Sequence, residues 1–79
     1  MERAEIVQKI EDVIVEQIAI DASDLSESTA FEADLEADSL DMLQIVTALE
    51  DAFGIEVDDS VFEQIKTIGD AASYVERIL

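Results

Sequence analysis

Apolar residues return at helical spacing in four stretches of this chain, and the positions between them are mostly acidic. Ile6, Val7, Ile10, Val13, Ile14 and Ile18 line one face of a helix expected from about Arg3 to Ile18. Glu2, Glu5, Glu11, Asp12 and Glu16 fall largely off that stripe. A second helix is marked by Leu43, Val46, Leu49 and Phe53, with Asp38 as its N-cap and Asp41 in its first turn, where the helix dipole favours acid. Gly54 follows as the C-cap. A short third helix is expected around Asp59 to Ile65, with Val61, Phe62 and Ile65 inward. The last opens on a capping box, Thr67-Ile68-Gly69-Asp70, and runs to the C-terminus through Ala71, Ala72, Val75, Ile78 and Leu79. Tyr74 is expected to pack its ring at the edge with its hydroxyl exposed.

Between the first two helices lies a long connection, Asp21 to Asp38, rich in Asp, Ser, Glu and Ala. Leu25, Phe31 and Leu35 are its apolar anchors, and a linker would not need Phe31. Ile55-Glu56-Val57 has the look of an edge strand, but no neighbouring strand offers it a partner. There is no proline and only two glycines, which starves β-turns and favours helices. The expected fold is therefore all-α, a small four-helix bundle of three longer helices and one short one. A long loop joins helices 1 and 2. Its 79 residues suffice for one domain, residues 1–79, around one modest core.

Charge narrows the function. Twenty-one acids face four bases, for a net charge of −17. Arg3, Lys9, Lys66 and Arg77 all lie near the termini, and the stretch from Ile10 to Ile65 holds 17 acids and no base. Nucleic acid and anionic membranes would be repelled; partners with basic patches would be drawn in. Cysteine and histidine are both absent, which removes disulfides, thiolate nucleophiles, ordinary zinc sites and histidine-based acid–base chemistry. No apolar stretch is long enough to span a bilayer, and the charged N-terminus is not a signal peptide. A monomer in the cytoplasm, with no metal site and no membrane insertion, is the expectation.

The segment Phe31-Glu32-Ala33-Asp34-Leu35-Glu36-Ala37-Asp38-Ser39-Leu40-Asp41 resembles the modification site of acyl carrier proteins. The resemblance continues through Val46-Thr47-Ala48-Leu49-Glu50-Asp51-Ala52-Phe53 to Ile65-Lys66-Thr67-Ile68, and reaches back to Glu16-Gln17. It implies a 4′-phosphopantetheine arm, donated by coenzyme A, on Ser39 through a phosphodiester. The arm would bring the thiol that this cysteine-free chain lacks. It also implies a non-catalytic carrier of acyl thioesters, foremost for fatty acid biosynthesis, and itself the substrate of a phosphopantetheinyl transferase.

The same resemblance implies that the second helix docks onto basic patches of fatty acid or polyketide synthase enzymes. The matching positions here are Asp38, Leu40, Asp41, Glu50, Asp51, Glu56 and Asp59. Exposed pairs are individually worth about 0–1 kcal/mol, so several together suit fast, transient encounter. Leu43, Val46, Leu49, Val57, Phe62, Ile65 and Ile68 are core positions that, by the resemblance, part to admit an acyl chain. Departures from the family pattern are Glu36 where glycine is common, Gln44 for an acid, Thr47 for a larger apolar residue and Asp58 where proline is frequent. A positive φ at Glu36 would strain the loop by about 1 kcal/mol.

Three rivals bear on this reading. A carrier for polyketide, peptide or other specialised acyl groups shares the same attachment chemistry. An EF-hand beginning at Asp34 fails on its own template, because position 6 is Ser39 and position 12 is Ile45, although weak divalent binding by the acid clusters stays open. A non-enzymatic acidic interaction domain would leave Ser39 unmodified. Ser39 is not a hydrolase nucleophile, having no histidine base and no Gly-x-Ser-x-Gly elbow.

Overall fold

The computed structural model describes residues 2–79, apart from the side chains of Asp59 and Phe62. In chain order it contains α1 (Arg3–Ile18), a 3₁₀ turn (Ala22–Asp24), α2 (Ser39–Phe53), the one-turn α3 (Asp59–Phe62) and α4 (Ile68–Ile78). No strand is present among the described residues; the one β-type pairing is an isolated antiparallel bridge between Ala30 and Thr67. The expected all-α class holds. Helix α1 is central, with α2 and α4 both packed against it.

Each helix buries the face its spacing dictates. Ile6, Ile10, Val13 and Ile14 of α1 are buried, and Val7 and Ile18 flank them half-buried. In α4 the buried set is Ile68, Ala71, Ala72 and Val75, an i, i+3, i+4, i+7 stripe. Ile78 and Leu79, which continue the apolar residues of the last helix, are 41% and 56% exposed. They lie past the point where the core ends, so continued periodicity has nothing to pack on. The third helix is shorter than expected, ending at Phe62 and leaving Ile65 buried in the following segment.

Helix α2 requires the largest correction. The expected stripe included Leu43, but Leu43 is 56% exposed; Val46 and Leu49 face the core as expected, and Met42 and Ile45 join them there. Ala37, 5% exposed, is buried immediately before the cap, and Met42 shares the same core. Phe53 is half-buried, with the Lys9 ammonium 5.3 Å from its ring centre.

The ends of the helices obey local chemistry. Gly54 closes α2 at φ 65°, the left-handed conformation that costs glycine least. Ala19 closes α1 at φ 50° without that advantage. Thr67 and Asp70 form the expected reciprocal capping box on α4. Near the N-terminus of α1, Arg3 donates to Glu27 in the connection and to Ser73 and Glu76 on α4. The hydrogen bond from Arg3, ahead of any other cause, holds the Glu27 carboxyl below its ordinary pKa. Glu11 is displaced upward, first by partial burial and then by neighbouring Asp12.

Candidate functional site

The long connection is a built structure. Leu25 and Phe31 are buried, with Phe31 1% exposed, and Leu35 is half-buried. Its backbone is laced to the segment before α4: Phe31 N–H donates to Lys66 C=O at 2.9 Å, Ile68 N–H to Thr29 C=O at 3.0 Å, and Gly69 N–H to Glu27 C=O at 2.8 Å. A side chain at Gly69 would place its Cβ 3.0 Å from that same Glu27 carbonyl, a tight contact that glycine avoids. Residues 30–37 then close a compact turn. Ala30 C=O accepts from the N–H groups of Asp34 and Leu35, and Ala37 N–H donates to Phe31 C=O at 2.9 Å. Glu36 holds φ 54° within this turn.

That turn delivers Asp38 to the start of α2. Asp41 N–H donates to the Asp38 carboxylate at 2.9 Å, and Asp38 N–H donates to the Asp41 carboxylate at 3.3 Å. The capping task is therefore performed by Asp38, and the exposed Ser39 hydroxyl in the first helical position is not the cap. The first N–H groups of any helix lack intrahelical acceptors and, with the helix dipole, favour an anion there. Asp38 and Asp41 oppose that preference locally.

Ser39 borders a cleft of about 410 Å³ between the connection, the first turns of α2 and the segment before α4. Phe31, Met42 and Ile65 give it apolar walls, while Glu32, Glu63 and Lys66 stand among its polar lining. Of the residues expected to contact an acyl chain, Ile65 lines this cleft; Val46, Leu49 and Ile68 are buried in the core, Val57 is half-buried and Leu43 faces outward. The Phe62 side chain lies outside the described part of the structure. Sequence reasoning missed Met42 as a wall residue, and the signal was its i, i+3, i+4 relation to Ile45 and Val46.

The expected docking acids divide by what they already do. Asp38 and Asp41 cap α2. Glu50 is half-buried and accepts from Val57 N–H at 2.8 Å, tying the segment after α2 back to the helix. Asp51 and Glu56 are exposed, and Glu56 C=O receives the Tyr74 hydroxyl at 3.4 Å. The Asp59 side chain lies outside the described part. Leu40 is 62% exposed beside Leu43, one turn apart, so two large apolar side chains stand among the acids. Among the described residues no group of three or more acids is arranged to hold a metal ion, and no helix is long and apolar enough to cross a membrane.

Residues 8–75 match the family described as "Phosphopantetheine attachment site". The acyl carrier protein of Lactobacillus acidophilus (strain NCFM) is 43% identical over 76 residues, covering 96% of this chain and 95% of that one. The acyl carrier protein of Rubrobacter xylanophilus is 41% identical over 75 residues, covering 95% and 93%. This chain belongs to the acyl carrier protein family. A solved acyl carrier protein from Enterococcus faecalis, described for its high thermal stability, superposes with a TM-score of 0.77 at 36% identity, over 95% of both chains.

As an acyl carrier protein the chain is non-catalytic and bears covalently bound 4′-phosphopantetheine, and its partners are a phosphopantetheinyl transferase and acyl-processing synthase enzymes. The residues present fit that group. An exposed hydroxyl, free of the capping task, stands at a helix N-terminus and opens onto a cleft with apolar walls. When bound, the group supplies the thiol that this chain lacks.

Proposed function

We propose that Ser39 is the attachment point, and that the carried acyl groups belong to fatty acid biosynthesis in the cytoplasm. The observation that carries the first part is the division of labour at the start of α2, where Asp38 caps and leaves the Ser39 hydroxyl exposed beside the cleft. Modification forms a bond between Ser39 Oγ and phosphorus, breaks the pyrophosphate of coenzyme A, and releases the hydroxyl proton and the nucleotide half. The near-complete coverage of relatives named as acyl carrier proteins supports a carrier of acyl groups.

Docking in this reading uses Asp38, Leu40, Asp41, Asp51 and Glu56, with Asp59, and the exposed Leu43 joins them. Glu50 contributes its charge from a fixed position, since its carboxylate is bonded to Val57 N–H. The fold works as a monomer that meets synthase enzymes transiently through this surface. Cargo enters by the cleft beside Ser39, along Phe31, Met42 and Ile65. Incubation with a phosphopantetheinyl transferase, coenzyme A and magnesium should add the mass of one phosphopantetheine. A gain that persists in Ser39→Ala, or no gain at all, refutes the attachment. Reconstitution with purified fatty acid synthase enzymes tests the pathway, and failure to extend a loaded acyl chain refutes that part.

A further inference from the structure

The protein has four basic residues, and three of them have work elsewhere. Arg3 is ion-paired with Glu27 and Glu76. Lys9 donates to Ala52 C=O at 3.3 Å and covers the Phe53 ring. Arg77 lies 5.7 Å from the centre of the Tyr74 ring. Lys66 lines the cleft that Ser39 borders.

The backbone of Lys66 is fixed from both sides. Its carbonyl accepts from Phe31 N–H at 2.9 Å, and its N–H donates to the Asp70 carboxylate at 3.1 Å. Phe31 is itself a wall of the cleft, so the root of the lysine side chain is held in register with that wall. A phosphodiester on Ser39 would stand between Asp38 and Asp41, in a chain with no base from Ile10 to Ile65. The helix N-terminus attracts it and the two carboxylates repel it. A cation brought in from a distant part of the sequence would tip that balance.

We propose that Lys66 is the counter-charge for the phosphodiester formed at Ser39, and that this pairing directs the arm along the cleft; the inference rests on Ser39 as the attachment point. Glu32 and Glu63 also line the cleft and are the other carboxylates that the same ammonium could meet there. The pairing therefore strengthens on modification, when a further negative charge is added beside Lys66. Lys66 acts as a positioning residue for the arm.

The test uses apo and modified forms of the full chain as wild type, Lys66→Arg and Lys66→Met, each first checked by intact mass and circular dichroism. Thermal unfolding, ³¹P NMR of the modified forms and the Lys66 Nζ resonance are then compared. The expected result is that Lys66→Met lowers the melting temperature of the modified form more than that of the apo form, by about 2–5 °C. The ³¹P resonance should move in Lys66→Met and stay near its wild-type position in Lys66→Arg, and the Lys66 Nζ resonance should shift on modification. Equal thermal losses in both forms with an unmoved ³¹P resonance would assign Lys66 to Glu32 or Glu63 and overturn the proposal. No mass gain in wild type would instead refute the attachment at Ser39, and this inference would fall with it.

Discussion

Glu36→Gly should stabilise this protein, although it removes a side chain and adds backbone freedom. Glu36 sits at φ 54° in the turn that delivers Asp38 to α2, and its side chain is exposed. An L-residue in the left-handed region costs about 1–2 kcal/mol. Glycine loses more entropy on folding, about 0.4–1 kcal/mol, which offsets part of that. The net gain is about 1 kcal/mol, or about 4–8 °C in melting temperature for a domain of this size. Removing one of 21 acids also relieves repulsion, so Glu36→Gln is the control: it loses the charge and keeps the strain. Denaturant titration of both variants at one ionic strength, with equal slopes, isolates the backbone contribution. If Glu36→Gly is no more stable than Glu36→Gln, the strain argument is wrong. Ala19→Gly, at φ 50° after α1, should gain a similar amount by the same reasoning.

Further outcomes follow from other contacts. Thr67→Ala removes the hydroxyl that accepts from Asp70 N–H at 3.1 Å and should cost about 1 kcal/mol, read as a lower denaturation midpoint. Phe31→Ala, at a residue 1% exposed, should cost about 3–5 kcal/mol and loosen the cleft, seen as lost hydrogen-exchange protection in residues 30–37. Salt should raise the melting temperature, because a net charge of −17 opposes compaction; a melting temperature flat from low to moderate salt would contradict this. The Glu27 carboxyl is held below its unfolded value of about 4.3, so its contribution is present above that pH and lost as the pH falls through the folded value. Glu27→Gln should thus be less stable than wild type at pH 7, with the gap closing in acid. For Glu11 the sign is opposite: its raised pKa makes ionisation unfavourable to folding, so Glu11→Gln should gain stability at pH 7.

Much of the fold follows from local rules. Apolar spacing placed α1 on Arg3–Ile18, and Asp38, Gly54 and Thr67 marked helix ends because caps are short-range chemistry within a few residues. Ser39 was legible through the resemblance of its flanking residues, Phe31 to Asp41, to a carrier modification site, and not through any local rule, since other serines in the chain share its chemistry. What local rules could not decide was rotation and reach. Leu43 and Met42 are neighbours that both fit a helical apolar stripe, and the packing of α2 on α1 leaves Met42 buried and Leu43 exposed. Ile78 and Leu79 keep the helical period, yet the core stops before them. The cleft joins Phe31, Ser39, Met42 and Lys66, which lie up to 35 residues apart, through the backbone bonds between the connection and the segment before α4. Glu50 was an acid on a helix until the fold brought Val57 N–H to it. Periodicity and capping are properties of neighbours in sequence. The face a helix presents, and the company a serine keeps, depend on how three helices share one small core, and that is a property of the whole chain.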